Sequence, residues 1–288
     1  VTILSPVVSK DTTLLDLATV APGLELRDPG IWFASNQGAV SYPAHGNAAC
    51  LAVEDRSFWF RHRNRCVVSL VRRFSPEGVF LDIGGGNGFV AKGLTDAGVA
   101  CGLVEPGIDG ALAAYARGID PVICARLEES GLPPMSIDAG GMFDVLEHIE
   151  DEVAALRQVH ALLRPGGRLF LTVPAYQFLF STADDMAGHF RRYTIASLSR
   201  VLLGSGFRIE FASYMFAPLP PPIFLQRTLP SLLGLRRSTE AQCDEAEHDP
   251  GGFAARVMDR LLAWEFRRLD AGRSVWFGTS CLCVAVKV

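Results

Sequence analysis

The 288-residue chain contains no Cys-x-x-Cys pair. Its seven cysteines, Cys50, Cys66, Cys101, Cys124, Cys243, Cys281 and Cys283, are scattered, several of them in apolar runs that read as strands. That pattern argues for core thiols in a reducing compartment, and against a disulfide framework or a zinc site. No metal-ligand set is expected. No basic segment leads into a continuous apolar core at the amino terminus, so no secretory signal is expected. No apolar span is long enough to cross a bilayer uninterrupted. Positive charge is not in surplus: Lys plus Arg number 27 against 31 Asp plus Glu, a formal net charge of -4. Nothing in that balance points to nucleic acid as a partner. We find no internal repeat, and no serine or cysteine in a recognisable nucleophile motif, which disfavours hydrolase chemistry. These absences lead to the expectation of a cytoplasmic protein.

What the chain has is length enough for a full core and 49% apolar residues. Residues 1–56 alternate short apolar runs with Pro, Gly and Asn, and predict loops and short helices packed on a larger unit. Ser57 can cap a helix running from Phe58 through Val71 and ending before Pro76. Its first two turns carry three aromatics and three arginines. They suit an amphipathic cover helix or a lid over an anionic or aromatic group. From Val79 strand and helix alternate, with strands over 79–83, 100–105, 121–125, within 136–143, and over 168–173. Helices are expected near 89–97, 108–116 and 151–163. The last shows Val153, Leu156, Val159 and Leu163 along one face, and Arg164-Pro165-Gly166-Gly167 stops it.

Beyond Pro174 the spacing predicts a helix over 194–203, a strand over 207–214, a helix over 253–269 and a last strand within 275–288. Residues 215–235 are apolar, but Pro218, Pro220, Pro221, Pro222 and Pro230 rule out a simple transmembrane helix. They read as a cover over a substrate site or as a surface making peripheral membrane contact. Residues 239–249 are polar and acidic and predict a surface loop. The whole predicts an α/β fold: a Rossmann-like, seven-stranded, mostly parallel sheet with helices on both faces. Its parts would be an amino-terminal cover (1–74), the ligand-binding core (75–214), an apolar and helical insertion or lid (215–272) and the last strand (273–288).

The run Val79-Phe80-Leu81-Asp82-Ile83-Gly84-Gly85-Gly86-Asn87-Gly88 is an apolar strand entering a glycine turn, with a helix to follow. Such a turn leaves backbone N–H groups free at the carboxyl edge of a parallel sheet. Glu105 ends the next strand, in Gly102-Leu103-Val104-Glu105, where its carboxylate can accept both hydroxyls of a ribose. A nicotinamide dinucleotide calls for a GxGxxG phosphate turn. Here Asp82 precedes the glycines, a poor neighbour for a pyrophosphate and a good one for a sulfonium or an ammonium. The charge argument favours S-adenosylmethionine.

The ordered set of motifs resembles the class I S-adenosylmethionine-dependent methyltransferases, in their small-molecule branch, over about residues 75–214. Phe80–Gly88 is similar to the family's first motif and Leu103-Val104-Glu105 to its ribose-binding strand end. Phe143-Asp144-Val145-Leu146-Glu147-His148-Ile149, with Leu162-Leu163-Arg164-Pro165-Gly166-Gly167, resembles the fourth motif and the turn into strand five. The resemblance implies that Gly84 and Gly86 approach the methionine part of the cofactor, that Asp82 serves its amino group, and that Glu105 binds the ribose. It also places Leu127 near the adenine and Asp144 at the cofactor. Arg126 departs from the pattern: many relatives carry an Asp there, and arginine cannot accept from the adenine amine. Ser41-Tyr42-Pro43 with Ser57–Asn64 resembles the leader of a bacterial subgroup, which implies a cofactor-capping role for Tyr42, Trp59 and Arg61. Gly188–Thr194 resembles a segment that puts His189, Arg192 and Tyr193 at the acceptor pocket or uses them to tie the loop to the core.

Methyl transfer needs close approach, a deprotonated nucleophile and exclusion of water, and positioning supplies much of its rate. For a hydroxyl or ring-nitrogen acceptor a histidine is a natural base; His148 is the first candidate and His189 the second. The apolar residues 207–235 and the aromatic leader point to a hydrophobic, aromatic or lipid-like acceptor. Two alternatives stay open at this point: a nicotinamide oxidoreductase, and a noncatalytic cofactor-binding regulator on the same fold.

Overall fold

The computed structural model describes residues 15–35, 46–74, 78–232 and 252–288. Within them, strands β1 (Leu24–Arg27), β2 (Ile31–Ala34), β3 (Phe80–Ile83), β4 (Cys101–Val104) and β5 (Val122–Cys124) are followed by β6 (Ile137–Phe143), β7 (Leu163–Pro174), β8 (Phe207–Met215) and β9 (Ser280–Lys287). They form one sheet in the order β1-β2-β5-β4-β3-β6-β7-β9-β8. From β5 through β7 neighbouring strands run parallel. β9 lies antiparallel between β7 and β8. The strands from β5 to β8 in this order are the expected seven, with β3 at the point where chain order reverses. In open α/β sheets ligands bind at such a point, outside the carboxyl ends of the strands.

Helices cover both faces. On one, α6 (Glu152–Leu162) and α8 (Ile195–Gly204) bury Leu156, Val159, Leu162, Leu198 and Leu202 against Leu81, Leu169 and Leu171. On the other, α3 (Phe58–Phe74), α4 (Phe89–Asp96) and α5 (Ile108–Ala116) bury Val67, Leu70, Leu94 and Ala114 against Phe80, Leu103 and Phe170. Because helices cover both faces, β3, β4 and β5 are buried along their whole length, and apart from Asp82 in β3 their sequences carry no charged or polar side chain at alternating positions. The helix ends follow local chemistry. Ser57 Oγ accepts the Trp59 N–H at 3.2 Å at the start of α3. Asp151 Oδ1 accepts the Ala154 N–H at 2.9 Å at the start of α6. α6 stops at Leu162, three residues before Pro165, which has no N–H to continue the ladder.

The amino-terminal region departs from the expectation of loops and short helices alone. α1 (Leu17–Val20) and α2 (Gly46–Val53) are short helices, but β1 and β2 form a hairpin that widens the sheet to nine strands. β2 joins β5 in parallel through Trp32↔Ile123 and Phe33↔Cys124. Four-residue strands are too short to show a period of two, so pairing with β5 decides their state.

Past β8 the chain turns into α9 (Pro220–Ile223), a π turn (Phe224–Thr228) and α10 (Leu229–Leu232); α11 (Gly252–Asp270) then returns along α3. Buried Glu265 of α11 accepts the N–H groups of Phe216 and Ala217, both at 2.7 Å, and pairs with His62 Nε2 of α3 at 2.8 Å. One carboxylate thus joins the leader helix, α11 and the exit of β8. Among the described residues, no helix is long and apolar enough to cross a membrane.

Candidate active site

The glycine turn is built as its sequence requires. Gly84 and Gly88 have φ of +68° and +74°, which disfavour any L side chain. A Cβ at Gly84 would lie 2.9 Å from Val145, and one at Gly88 would lie 3.0 Å from the backbone of Ala114. Gly84 N–H donates to the Val104 carbonyl at 2.8 Å, which pins the turn to β4. The helix that follows, α4, starts at Phe89, directly after the turn, so its amino end lies at the turn.

Beneath the turn lies Asp82, 1% exposed, with no hydrogen bond of normal geometry to either carboxylate oxygen. Burial pushes its carboxyl up to about 7, against the opposing influence of the Arg63 charge and the Ala91 amide. Glu105, at the end of β4, accepts Gly86 N–H at 2.9 Å and Gly107 N–H at 2.8 Å. Burial raises its carboxyl too, opposed by those two amides and by the Asn47 side chain. Asn47 belongs to α2, and its carbonyl accepts Asn87 Nδ2 at 2.8 Å, so the amino-terminal region sits directly on the turn. No motif in the sequence marks Asn47.

Asp144 follows β6 with φ of +58°. Its carboxylate accepts Thr172 Oγ1 at 3.2 Å and pairs with the Arg63 guanidinium. Arg63 also lies 4.8 Å from the Trp59 ring centroid, and Trp59 stacks on Phe216 at 5.3 Å. Arg61 takes a different position: it is exposed and lines a groove of about 760 Å³ with Arg65, Phe89, Phe266 and Asp270. None of Asp82, Glu105, Asp144 or His148 lines that groove. Two residues along a helix is a turn of about 200°, so Arg61 and Arg63 face opposite ways. The signal for Arg63 was its place on the stripe Phe60, Arg63, Val67 and Leu70, all buried. Tyr42 lies outside the described residues.

Leu127 opens a short 3-10 turn and is half-buried against the core. Arg126 spends its guanidinium on Glu129 at 2.7 Å and Glu128 at 3.2 Å, holding that turn.

On the other side of the strand edge, His148 and His189 meet edge to face, with ring centroids 4.6 Å apart. The loop after α7 (Thr182–Ala187) is tied to the strand-six edge by Phe190 N–H donating to the Glu147 carbonyl at 2.8 Å. Burial and the charge of His189 lower His148 to about 4. His189 Nδ1 bonds Asp184 Oδ1 at 2.9 Å. Arg192 grips the same carboxylate through Nε at 2.7 Å and Nη2 at 3.0 Å. Burial works against the Asp184 charge, but His189 and Arg192 outweigh it and hold the carboxyl at about 2. Tyr193 is buried, with its hydroxyl bonded to Glu152. Arg192 and Tyr193, expected at the acceptor pocket, are engaged in contacts that hold this loop. Asp184 was not singled out by the sequence, and Glu147, though it lies in the run resembling the fourth motif, was given no role there.

A family model described as a methyltransferase domain matches residues 59–210, just over half of the chain. The chain belongs to that family, within the class I S-adenosylmethionine-dependent methyltransferases. A Mycolicibacterium smegmatis protein named "Probable S-adenosylmethionine-dependent methyltransferase/" is 29% identical over 174 residues, covering 58% of this chain and 66% of its own length. A Mycobacterium tuberculosis protein with a name of the same form is 29% identical over 157 residues, 52% of this chain and 56% of its own. The chain thus spans under two thirds of the length of these curated relatives. A solved phosphoethanolamine N-methyltransferase 2 from Haemonchus contortus shares the fold, with a TM-score of 0.54 at 18% identity over 86% of this chain and 58% of that one.

Proposed function

We propose that the protein transfers a methyl group from S-adenosylmethionine to a small hydrophobic or aromatic acceptor by direct in-line displacement. The observation that carries this reading is the pair of buried carboxylates flanking the glycine turn. Neither Asp82 oxygen has a hydrogen bond of normal geometry, so a cationic ligand beside it would stabilise a buried charge that the Arg63 charge and the Ala91 amide only partly offset. Glu105 presents its carboxylate where a ribose diol would lie. These residues fit the cofactor: the diol against Glu105, the positive methionine end towards Asp82, the adenine beside Leu127, and the amino-terminal cover with Asn47, Trp59 and Arg63 above.

On the acceptor side, aromatic rings follow the end of β7. Tyr176 stacks on Phe178 at 5.3 Å and on Tyr214 at 5.1 Å, and Phe178 is 60% exposed. Such surfaces favour a flat or apolar acceptor over a strongly charged one. His148, kept neutral by burial, is able to accept the proton of an attacking hydroxyl, and His189 is held in place by Asp184. Positioning then supplies the in-line geometry.

The test is calorimetric binding of S-adenosylhomocysteine, paired with methyl incorporation into a panel of hydroxylated aromatic acceptors. Glu105→Ala is expected to weaken binding by about 1–3 kcal/mol through loss of the ribose bonds. Unchanged affinity in that variant rejects the ribose assignment. Nicotinamide cofactor binding in place of S-adenosylhomocysteine selects the oxidoreductase, and tight binding without turnover across the panel selects the regulator.

A further inference from the structure

We propose that Glu147, His148 and His189 form a site for one divalent metal ion of the zinc type. The three side chains each offer a ligand atom, and these atoms lie within 4.8 Å of one another. Two imidazoles and one carboxylate are a donor set that suits zinc and its first-row neighbours, leaving a coordination position open.

Three further observations support the assignment. Glu147 is 1% exposed, and neither of its carboxylate oxygens has a hydrogen-bond partner. A carboxylate so buried is costly unless a cation or a proton neutralises it. His189 is already oriented as a ligand: its Nδ1 bonds Asp184, a carboxylate itself clamped by Arg192, which leaves Nε2 for the ion. A histidine backed by a carboxylate in this way is the usual support of a metal-bound imidazole. The local charge also favours a cation: among the described residues, Glu147 has the Asp144 carboxylate against it with Arg63 and Arg192 opposing, and Asp184 is matched by His189 and Arg192. On the loop side the His189 side chain keeps 17% exposure. No spacing along the chain announces this set, because Glu147-His148 and His189 lie about forty residues apart and are brought together by the fold, through the Phe190–Glu147 backbone bond and the contact of the two imidazole rings.

Metal binding here does not depend on the methyltransferase reading. If that reading also holds, His148 in the metal-bound protein serves as a ligand in place of the proton acceptor, and an acceptor hydroxyl at the open position would ionise more readily and give up its proton to solvent.

The test uses the full chain, stripped with a chelator and dialysed, then titrated with Zn²⁺ by calorimetry and with Co²⁺ by visible absorption. One equivalent is expected to bind, with cobalt ligand-field bands and no thiolate charge-transfer absorption. Glu147→Gln and His189→Gln are expected to lose at least about tenfold in affinity, and Asp184→Asn about 10–100-fold. S-adenosylhomocysteine titration and near-ultraviolet circular dichroism of each variant verify that the fold is intact. For a variant that fails those checks, X-ray absorption on the zinc-loaded parent protein decides, with two imidazoles and an oxygen expected. No stoichiometric binding by the parent, thiolate bands, or unchanged affinity in Glu147→Gln and His189→Gln would overturn the proposal. Metal binding without any S-adenosylhomocysteine binding would instead overturn the methyltransferase reading alone.

Discussion

Asp82 shows how one buried side chain turns a common fold into a selective site. Its carboxyl stands near 7 in the folded protein against 3.8 for an ordinary aspartate, with burial as the main cause. The folded state therefore holds a proton that the unfolded chain has released, and the sign follows from that. Without ligand, the stability contributed at Asp82 is present below 3.8 and is lost as pH rises towards 7. A cationic ligand beside it favours the ionised form, so binding near neutral pH expels a proton. S-adenosylmethionine affinity is expected to rise between pH 6 and 8, about the window of this titration. Calorimetry in two buffers of different ionisation enthalpy measures the proton directly. Asp82→Asn is expected to abolish both the proton release and the pH slope; equal binding enthalpies for the parent protein in the two buffers would count against the assignment.

At the scale of elements, the cover over the site is held by a contact far from the chemistry. Glu265 of α11 takes two backbone amides at the exit of β8 and His62 of α3, all in a buried setting. Glu265→Ala leaves those donors without an acceptor and is expected to cost about 3–5 kcal/mol, with Glu265→Gln costing less because an amide oxygen remains. Urea unfolding of the two variants measures the difference. α3 carries Trp59 and Arg63 to the site, so the alanine variant is also expected to bind S-adenosylhomocysteine more weakly. The same helix shows what helical periodicity can reveal. Arg61 drew attention as a charged residue in an aromatic leader, yet Arg63 shares the stripe of Phe60 and Val67 and reaches Asp144.

Across the whole molecule, the nine-stranded sheet binds the amino-terminal region to the core through a single parallel pairing, β2 on β5. Ile31, fully buried in β2, packs into the cluster shared by α3, α4 and α5. Ile31→Ala is expected to destabilise the protein by about 2–5 kcal/mol, read from thermal unfolding. Hydrogen exchange would localise the added opening to β1 and β2 if that edge unfolds separately from the rest. Stability and site are coupled here, because α2, which follows the hairpin in the chain, places Asn47 against Asn87 and Glu105.

The sequence alone determined the βα rhythm from Val79 to Val173, the glycine turn, the two strand-end acids and the stop after α6. Those features are local: apolar runs, caps, glycine and proline act within a few residues of themselves. The short β1–β2 hairpin escaped it, since four residues carry too little pattern to separate a strand from a loop. So did the roles of Asn47, Arg63, Glu147 and Asp184, which depend on which surfaces meet once the helices pack. Only the tertiary structure put His189 beside Glu147 and His148, left Asp82 buried without a hydrogen bond, and turned Arg192 onto Asp184. Those are long-range arrangements of charge and burial, and no spacing along the chain encodes them.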